Sequence, residues 1–250
     1  MDCNPATCRD VWRLSRVSCE FLRRMKGPVR EAVSLWVVVL LALAALEVVG
    51  LAVPLVRSLV GALAVAAFLY APTLALEKRG QDAFDAGWRF DRLKLDLLWA
   101  FGTCAVILPL FTVGFISFTA ALGRLPAALQ GVLAPYLSAA HPLHFQVPLT
   151  ADFAGKVLGN AAVAFSEEFF YRGYLTTRFE EQLTPVKAAL LAAALFALGH
   201  LLEPAPWRLA TFFPALWFAF VRRRTGTIVG ASICHLLANV WLLLLETAAY

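Results

Sequence analysis

The sequence predicts an all-α, polytopic transmembrane helix bundle of about seven to eight spans, led by an amphipathic cytoplasmic segment. Three observations carry this. The chain has 250 residues, of which 60% are hydrophobic and only 16% charged, and its mean hydropathy of +0.72 lies outside the range of soluble globular domains. Its apolar runs approach the roughly 17–25 residues that a helix needs to cross the hydrocarbon core. Its lysines and arginines alternate between successive loops, as the positive-inside rule requires of a chain that crosses back and forth.

Residues 1–31 carry Val11, Leu14, Val17, Phe21 and Leu22 at helical spacing among arginines, the pattern of a helix lying on a membrane surface. No cleavable signal peptide is expected, because this stretch is charged and lacks an apolar core beside a small-residue cleavage site. Spans follow at 32–54, 57–76, 97–121, 153–177, 187–203, 207–221 and 226–246, the sixth of them short. A further interfacial or re-entrant helix fits 125–140. Glu47 is the main polar residue of the first three spans and is read as structural. The segment 123–152 holds four of the thirteen prolines with His141 and His144, and reads as an outside loop over the mouth of a cavity.

Basic residues orient the spans. Residues 9–30 hold seven, the loop 77–94 holds five, Arg178 and Lys187 mark a third loop, and Arg222, Arg223 and Arg224 form a triplet. The intervening loops hold only Arg57, Arg124 and Arg208. The N-terminus is therefore expected in the cytoplasm and the C-terminus outside. The net charge of +5 then reflects topology and the anionic lipid bilayer, and nucleic acid is not an expected partner. Cys3, Cys8 and Cys19 fall on the reducing side while Cys104 and Cys234 lie within spans, so no disulfide is expected. The bias toward Ala, Leu and Arg points to a bacterial cytoplasmic membrane.

Within this background Glu167 and Glu168, with Arg172 four residues on, interrupt an apolar stretch. A charge at the bilayer centre costs about 2.5–3.5 kcal/mol even on the lenient insertion scale, which marks the cluster as functional. On a helix Glu168 lies one turn from Arg172, acid before base, so the two can neutralise each other inside the bundle. Glu167 points about 100° away, on the face of Asn160, Tyr171 and Tyr174, and is left free to act as a general base. His200 ends the run Phe196-Ala-Leu-Gly-His200 and His235 opens His235-Leu-Leu-Ala-Asn239. At about 1.5 Å per residue from the basic boundaries, Glu167, His200 and His235 each fall about 16–20 Å deep. Three helices can thus bring a carboxylate and two imidazoles together. His235 and Asn239, four apart, share a face and offer hydrogen bonds to an oxyanion, and Phe196 can pack on His200. Glu167, His200 and His235 also make a plausible His₂Glu zinc set.

The segments Glu167-Glu168-Phe-Phe-Tyr-Arg172-Gly173, Phe196 to His200 and His235 to Asn239, with the basic turn 222–227 before the last, resemble in order and spacing the motifs of the CAAX protease and bacteriocin-processing (CPBP, or Abi) family of intramembrane endopeptidases. The resemblance covers about 155–245, and every motif position is occupied. It implies an intramembrane protease acting on a membrane-associated protein or peptide substrate. Glu167 would activate water with help from His200, while His235 and Asn239 form the oxyanion hole and Glu168 and Arg172 support them. On this reading no cofactor is needed; the zinc set is the alternative. The chain divides into 1–31, a transmembrane and loop region 32–150, and a catalytic core 151–250. A proton-coupled transporter and a non-proteolytic scaffold or immunity protein of the same fold are the rival classes. The absence of internal repeats counts against the first and the intact motifs against the second.

The charge alternation makes a direct prediction. A reporter fused after Tyr250 is expected outside and one inserted at Gly80 in the cytoplasm; finding both on one side would refute the seven-span topology.

Overall fold

The computed structural model describes residues 27–133, 150–202 and 206–247. These are mostly helical, with no strand among the described residues. The order is α1 (Gly27–Ala52), α2 (Pro54–Glu77), α3 (Leu93–Leu122), a short α4 (Ala127–Leu133), α5 (Ala151–Glu168), a π-helical segment (Phe169–Leu175), α6 (Thr176–Glu180), α7 (Pro185–Gly199), two 3₁₀ turns (His200–Leu202 and Pro206–Thr211), α8 (Phe212–Thr225) and α9 (Val229–Thr247). The helices follow the expected spans in sequence. The first begins at Gly27, while the rest of the amphipathic lead-in lies outside the described residues. The helix anticipated within 125–140 is present as α4, and His141 and His144 also lie outside the described residues. Glu47 is exposed on α1.

By length and composition four helices among the described residues can cross a membrane: Gly27–Ala52, Pro54–Glu77, Leu93–Leu122 and Pro185–Leu202. Val229–Leu245 is apolar but shorter. α8 has only 14 residues, about 21 Å at 1.5 Å per residue, and it ends in the arginine triplet. α5 and its continuation carry Glu167, Glu168 and Arg172, so apolar length alone does not single them out. The outward faces of α1 to α3 are apolar, with Val38, Leu41, Leu98, Leu110 and Val113 all more than half exposed. That surface suits lipid, and the chain is an integral membrane protein.

Two apolar cores hold the bundle. One gathers Val39, Leu43, Phe68, Phe170, Tyr171, Ala192 and Phe196 from α1, α2, the π segment and α7. The other joins Ala100 and Cys104 of α3, Trp217, Phe218 and Val221 of α8, and Ala231 and Cys234 of α9. Small residues at this second contact let the backbones approach closely, as lipid-embedded helices require when no hydrophobic force drives them together.

The position of α9 is fixed from the N-terminal half. Asp96, near the start of α3, has no exposed surface. Its Oδ1 accepts hydrogen bonds from Thr227 Oγ1 and from the Gly230 amide at 3.1 Å. A carboxylate from a distant helix thus caps the first turn of α9, where unpaired amides and the positive end of the helix dipole favour an anion. A Cβ at residue 230 would lie 2.9 Å from Asp96 Oδ1, so only glycine admits this contact. The turn before it is clamped as well. Gly226 ends α8 in the left-handed conformation at φ 75°, its carbonyl accepts from Arg89 at 2.9 Å, and the Thr225 carbonyl accepts from Arg92 at 3.3 Å. The Ile228 amide donates to the Gly87 carbonyl at 2.9 Å. The loop between α2 and α3, read from sequence only as basic, is therefore a brace for the α8–α9 turn.

If Asp96 sets α9, Asp96→Ala is expected to lower stability by about 1–2 kcal/mol, the scale of a lost helix cap. Asp96→Asn retains an acceptor and is expected to keep most of it. Thermal unfolding in detergent measures both, and equal stability of the wild type and Asp96→Ala would remove the cap from the account.

Candidate active site

The site forms where α5 passes into the π segment and meets α7, α8 and α9. Glu167 and Glu168 are the last residues of α5, and every residue of Phe169–Leu175 is buried. The sequence reading treats this stretch as ordinary α-helix. The wider π turn differs: residues 169–175 turn inward from all sides of the helix because α1, α2, α7 and α8 surround them, and Thr176 Oγ1 donates to the carbonyl of Tyr171 five residues back at 2.8 Å. Such π segments concentrate at functional sites.

The expected ion pair is present and buried. Arg172 Nη1 lies 2.9 Å from Glu168 Oε1, with side chains 1% and 0% exposed. Arg172 Nη2 donates to the Ala215 carbonyl of α8 at 2.9 Å, and its guanidinium lies over the rings of Phe196 at 4.6 Å and Phe218 at 5.4 Å. The arginine thus spends its charge on a carboxylate, a carbonyl and two aromatic faces, which is what a dry interior demands of an ion.

His235 extends the pair in a way that helical spacing did not indicate. Its Nδ1 lies 2.9 Å from the same Glu168 Oε1, and its Nε2 lies 3.6 Å from Glu167 Oε2. An oxygen that already accepts from Arg172 is an acceptor toward His235 too, so Nδ1 carries the hydrogen and Nε2 faces Glu167. Phe218 stacks on the imidazole at 4.7 Å and 18°, which fixes the ring plane. Glu168 is therefore the partner of Arg172 and of His235 together. Glu167, 15% exposed, is the open carboxylate of the two.

His200 follows α7 at the first 3₁₀ turn. Its Nδ1 lies 2.9 Å from the Phe196 carbonyl, which can only accept, so Nδ1 donates and Nε2 is left with a lone pair in the neutral ring. Phe196 packs on His200 at 4.5 Å, as its spacing predicts, and also meets His235 at 5.8 Å and Tyr171 at 5.0 Å. The two imidazoles thus share one aromatic neighbour, although no hydrogen bond joins His200 to Glu167. Asn239 lies one turn beyond His235 on α9, half-buried, and makes no side-chain hydrogen bond among the described residues. The spacing places Tyr171 only on the face of Glu167. Its hydroxyl accepts from Trp36 Nε1 at 3.3 Å and sits where a Cβ at residue 199 would come within 2.9 Å, so α7 passes close by at Gly199. Trp36, Phe218 and the Ala215 carbonyl are contributors that no local pattern announced. Among the described residues no group of three or more His, Cys, Asp or Glu side chains is placed to hold a metal ion.

Because Arg172 neutralises a fully buried carboxylate, Arg172→Ala is expected to destabilise the protein by about 3–5 kcal/mol as well as to remove activity. A variant with wild-type thermal stability and no turnover would move Arg172 from support into the reacting groups.

The comparisons agree with the motifs. No curated protein and no solved structure matches the chain. Residues 151–241 match the family described as Rce1-like, Type II CAAX prenyl endopeptidase Rce1-like, and the match contains Glu167, Glu168, Arg172, His200, His235 and Asn239 together. The segment running from α5 through most of α9 is thus similar to the Rce1-like CAAX prenyl endopeptidase family.

Proposed function

We propose that the protein is an intramembrane endopeptidase in which Glu167 activates a water molecule for attack on a peptide bond of a membrane-associated protein or peptide. The observation that carries the reading is the division of labour within the Glu167-Glu168 pair. Glu168 has its Oε1 engaged by both Arg172 and His235 and no exposed surface, whereas Glu167 keeps an open carboxylate 3.6 Å from the second nitrogen of the same imidazole. A water beside Glu167 gives a proton to its carboxylate as the oxygen attacks the carbonyl carbon. The tetrahedral oxyanion accepts hydrogen bonds from Asn239 Nδ2 and from a protonated His235 Nε2, whose cation is balanced by Glu168 through Nδ1. Glu167 then passes its proton to the leaving amine as the C–N bond breaks.

His200 holds the attacking water through the Nε2 lone pair that its bond to the Phe196 carbonyl leaves free. What supports a metal-free route is Asn239, which has a role as an oxyanion donor that zinc would make redundant. The substrate class consistent with the family is a membrane-associated C-terminal tail or peptide.

Exhaustive chelation is therefore expected to leave turnover unchanged, and the purified protein to contain no stoichiometric zinc. Asn239→Ala is expected to lower turnover about 10²–10³-fold, the effect of one lost oxyanion donor, with little change in substrate binding, and Glu167→Gln to abolish it. One equivalent of tightly bound zinc, with activity lost on its removal and restored on its return, would replace Glu167-and-Asn239 catalysis with a Glu167, His200, His235 metal centre.

A further inference from the structure

A lateral groove of about 540 Å³ runs between α3 and α8, lined by Leu98, Trp99, Val106, Ile107, Trp217 and Phe220. It belongs to the second core and is separate from the Glu167 site. Its polar atoms are already used: Trp217 Nε1 donates to Thr103 Oγ1 at 2.8 Å, and that hydroxyl donates to the Trp99 carbonyl at 2.7 Å. The wall offered outward is hydrocarbon and ring. Gly102 keeps the floor low, because a Cβ there would meet nothing within 4 Å. The groove opens away from the bundle, past Leu98 and Val106, which are 69% and 60% exposed.

One end is cationic. Arg224 lies over Trp99 at 5.2 Å and over Phe220 at 5.0 Å, two of the rings that line the groove. It is exposed and forms no ion pair with an acidic side chain among the described residues. Arg223, next to it, is exposed as well, and Lys94 is exposed one turn before Leu98 on α3. The start of α3 and the end of α8 lie on the same side, since Arg92 bonds the Thr225 carbonyl. Two aromatic rings thus present an unneutralised guanidinium at the mouth of an apolar channel, flanked by two further cations.

We propose that this groove binds one anionic phospholipid, its acyl chain along Gly102 and Val106 and its phosphate on Arg224 with Lys94 and Arg223. The charge complementarity selects the headgroup: a zwitterionic lipid brings its own cation into the cluster, whereas an anionic one does not. The stacked position of Arg224 orders its guanidinium before the lipid arrives. The proposal is independent of the peptidase chemistry, because no residue of the groove belongs to that site.

Native mass spectrometry of the detergent-purified full chain, supplied with phosphatidylglycerol or phosphatidylcholine of matched acyl chains, tests it. The wild type is expected to retain a single phosphatidylglycerol with a preference over phosphatidylcholine on the order of tenfold, as befits one to two added cationic contacts. Arg224→Gln is expected to bring the two lipids near parity, and Arg224→Lys to restore most of the preference. Gly102→Leu and Val106→Phe, which fill the groove, are expected to remove retention of both lipids, and thermal unfolding checks that each variant is folded. Equal retention of the two lipids by the wild type, or an unchanged preference in Arg224→Gln, would overturn the proposal. Displacement of the bound lipid by a soluble prenyl-cysteine analogue would instead assign the groove to the lipid part of a substrate.

Discussion

The buried carboxylate of Glu168 is the constraint around which the domain is arranged. An ion with no exposed surface is tolerated only where fixed partners replace its water. Here those partners come from different places: Arg172 on the next turn and His235 on α9 both meet Oε1. Arg172 in turn needs the Ala215 carbonyl and the rings of Phe196 and Phe218, so α7 and α8 are drawn in. The polar centre therefore specifies which helices touch and in which rotation. In a bilayer this matters more than in water, because apolar helix faces have no preference for one another over lipid.

A second buried carboxylate does the corresponding work at the start of α9. Asp96 holds the N-terminus of α9, and Arg89, Arg92 and Gly87 hold the turn that leads into it. His235 is five residues past Gly230, so any slip of that first turn would carry the imidazole away from Glu168. The region outside the Rce1-like match is thus mechanically coupled to the site even though it supplies none of the motif residues. Two anchors, one at each end of the first two turns of α9, leave its imidazole little freedom. Asn239, one turn further on, inherits that placement without a side-chain hydrogen bond among the described residues.

Much of this was legible in the sequence, and the boundary of legibility is physical. Hydropathy and length locate the helices because burial in lipid acts residue by residue, and the order from α1 to α9 follows the predicted spans. The Glu168–Arg172 pair and the packing of Phe196 on His200 were readable because both are four-residue contacts on one helix. What spacing could not give were contacts made across the fold. The bond from His235 to Glu168 joins residues 67 apart, and the Asp96 cap joins residues 134 apart. The π segment was also hidden, since it reflects crowding by four neighbouring helices and not the preferences of Phe169 to Leu175. Nothing in the sequence around Asp96 singles it out, and only its zero exposure and its bonds to Thr227 and Gly230 reveal it as a cap.

The adjacency of the two glutamates then has a structural explanation. Consecutive helical residues point about 100° apart, so one turn of backbone can place one carboxylate in a sealed core and leave the other partly exposed. Glu168 orients His235 through Nδ1, and the rigid ring delivers Nε2 to Glu167 on the far side. The distance between the anchoring carboxylate and the open one is thereby set by a planar ring stacked on Phe218. Exchanging either glutamate for aspartate would shorten one arm by a methylene and break that fit, although the charge would be unchanged. The paired acids are best understood as one device, in which the buried member fixes the imidazole that the open member faces.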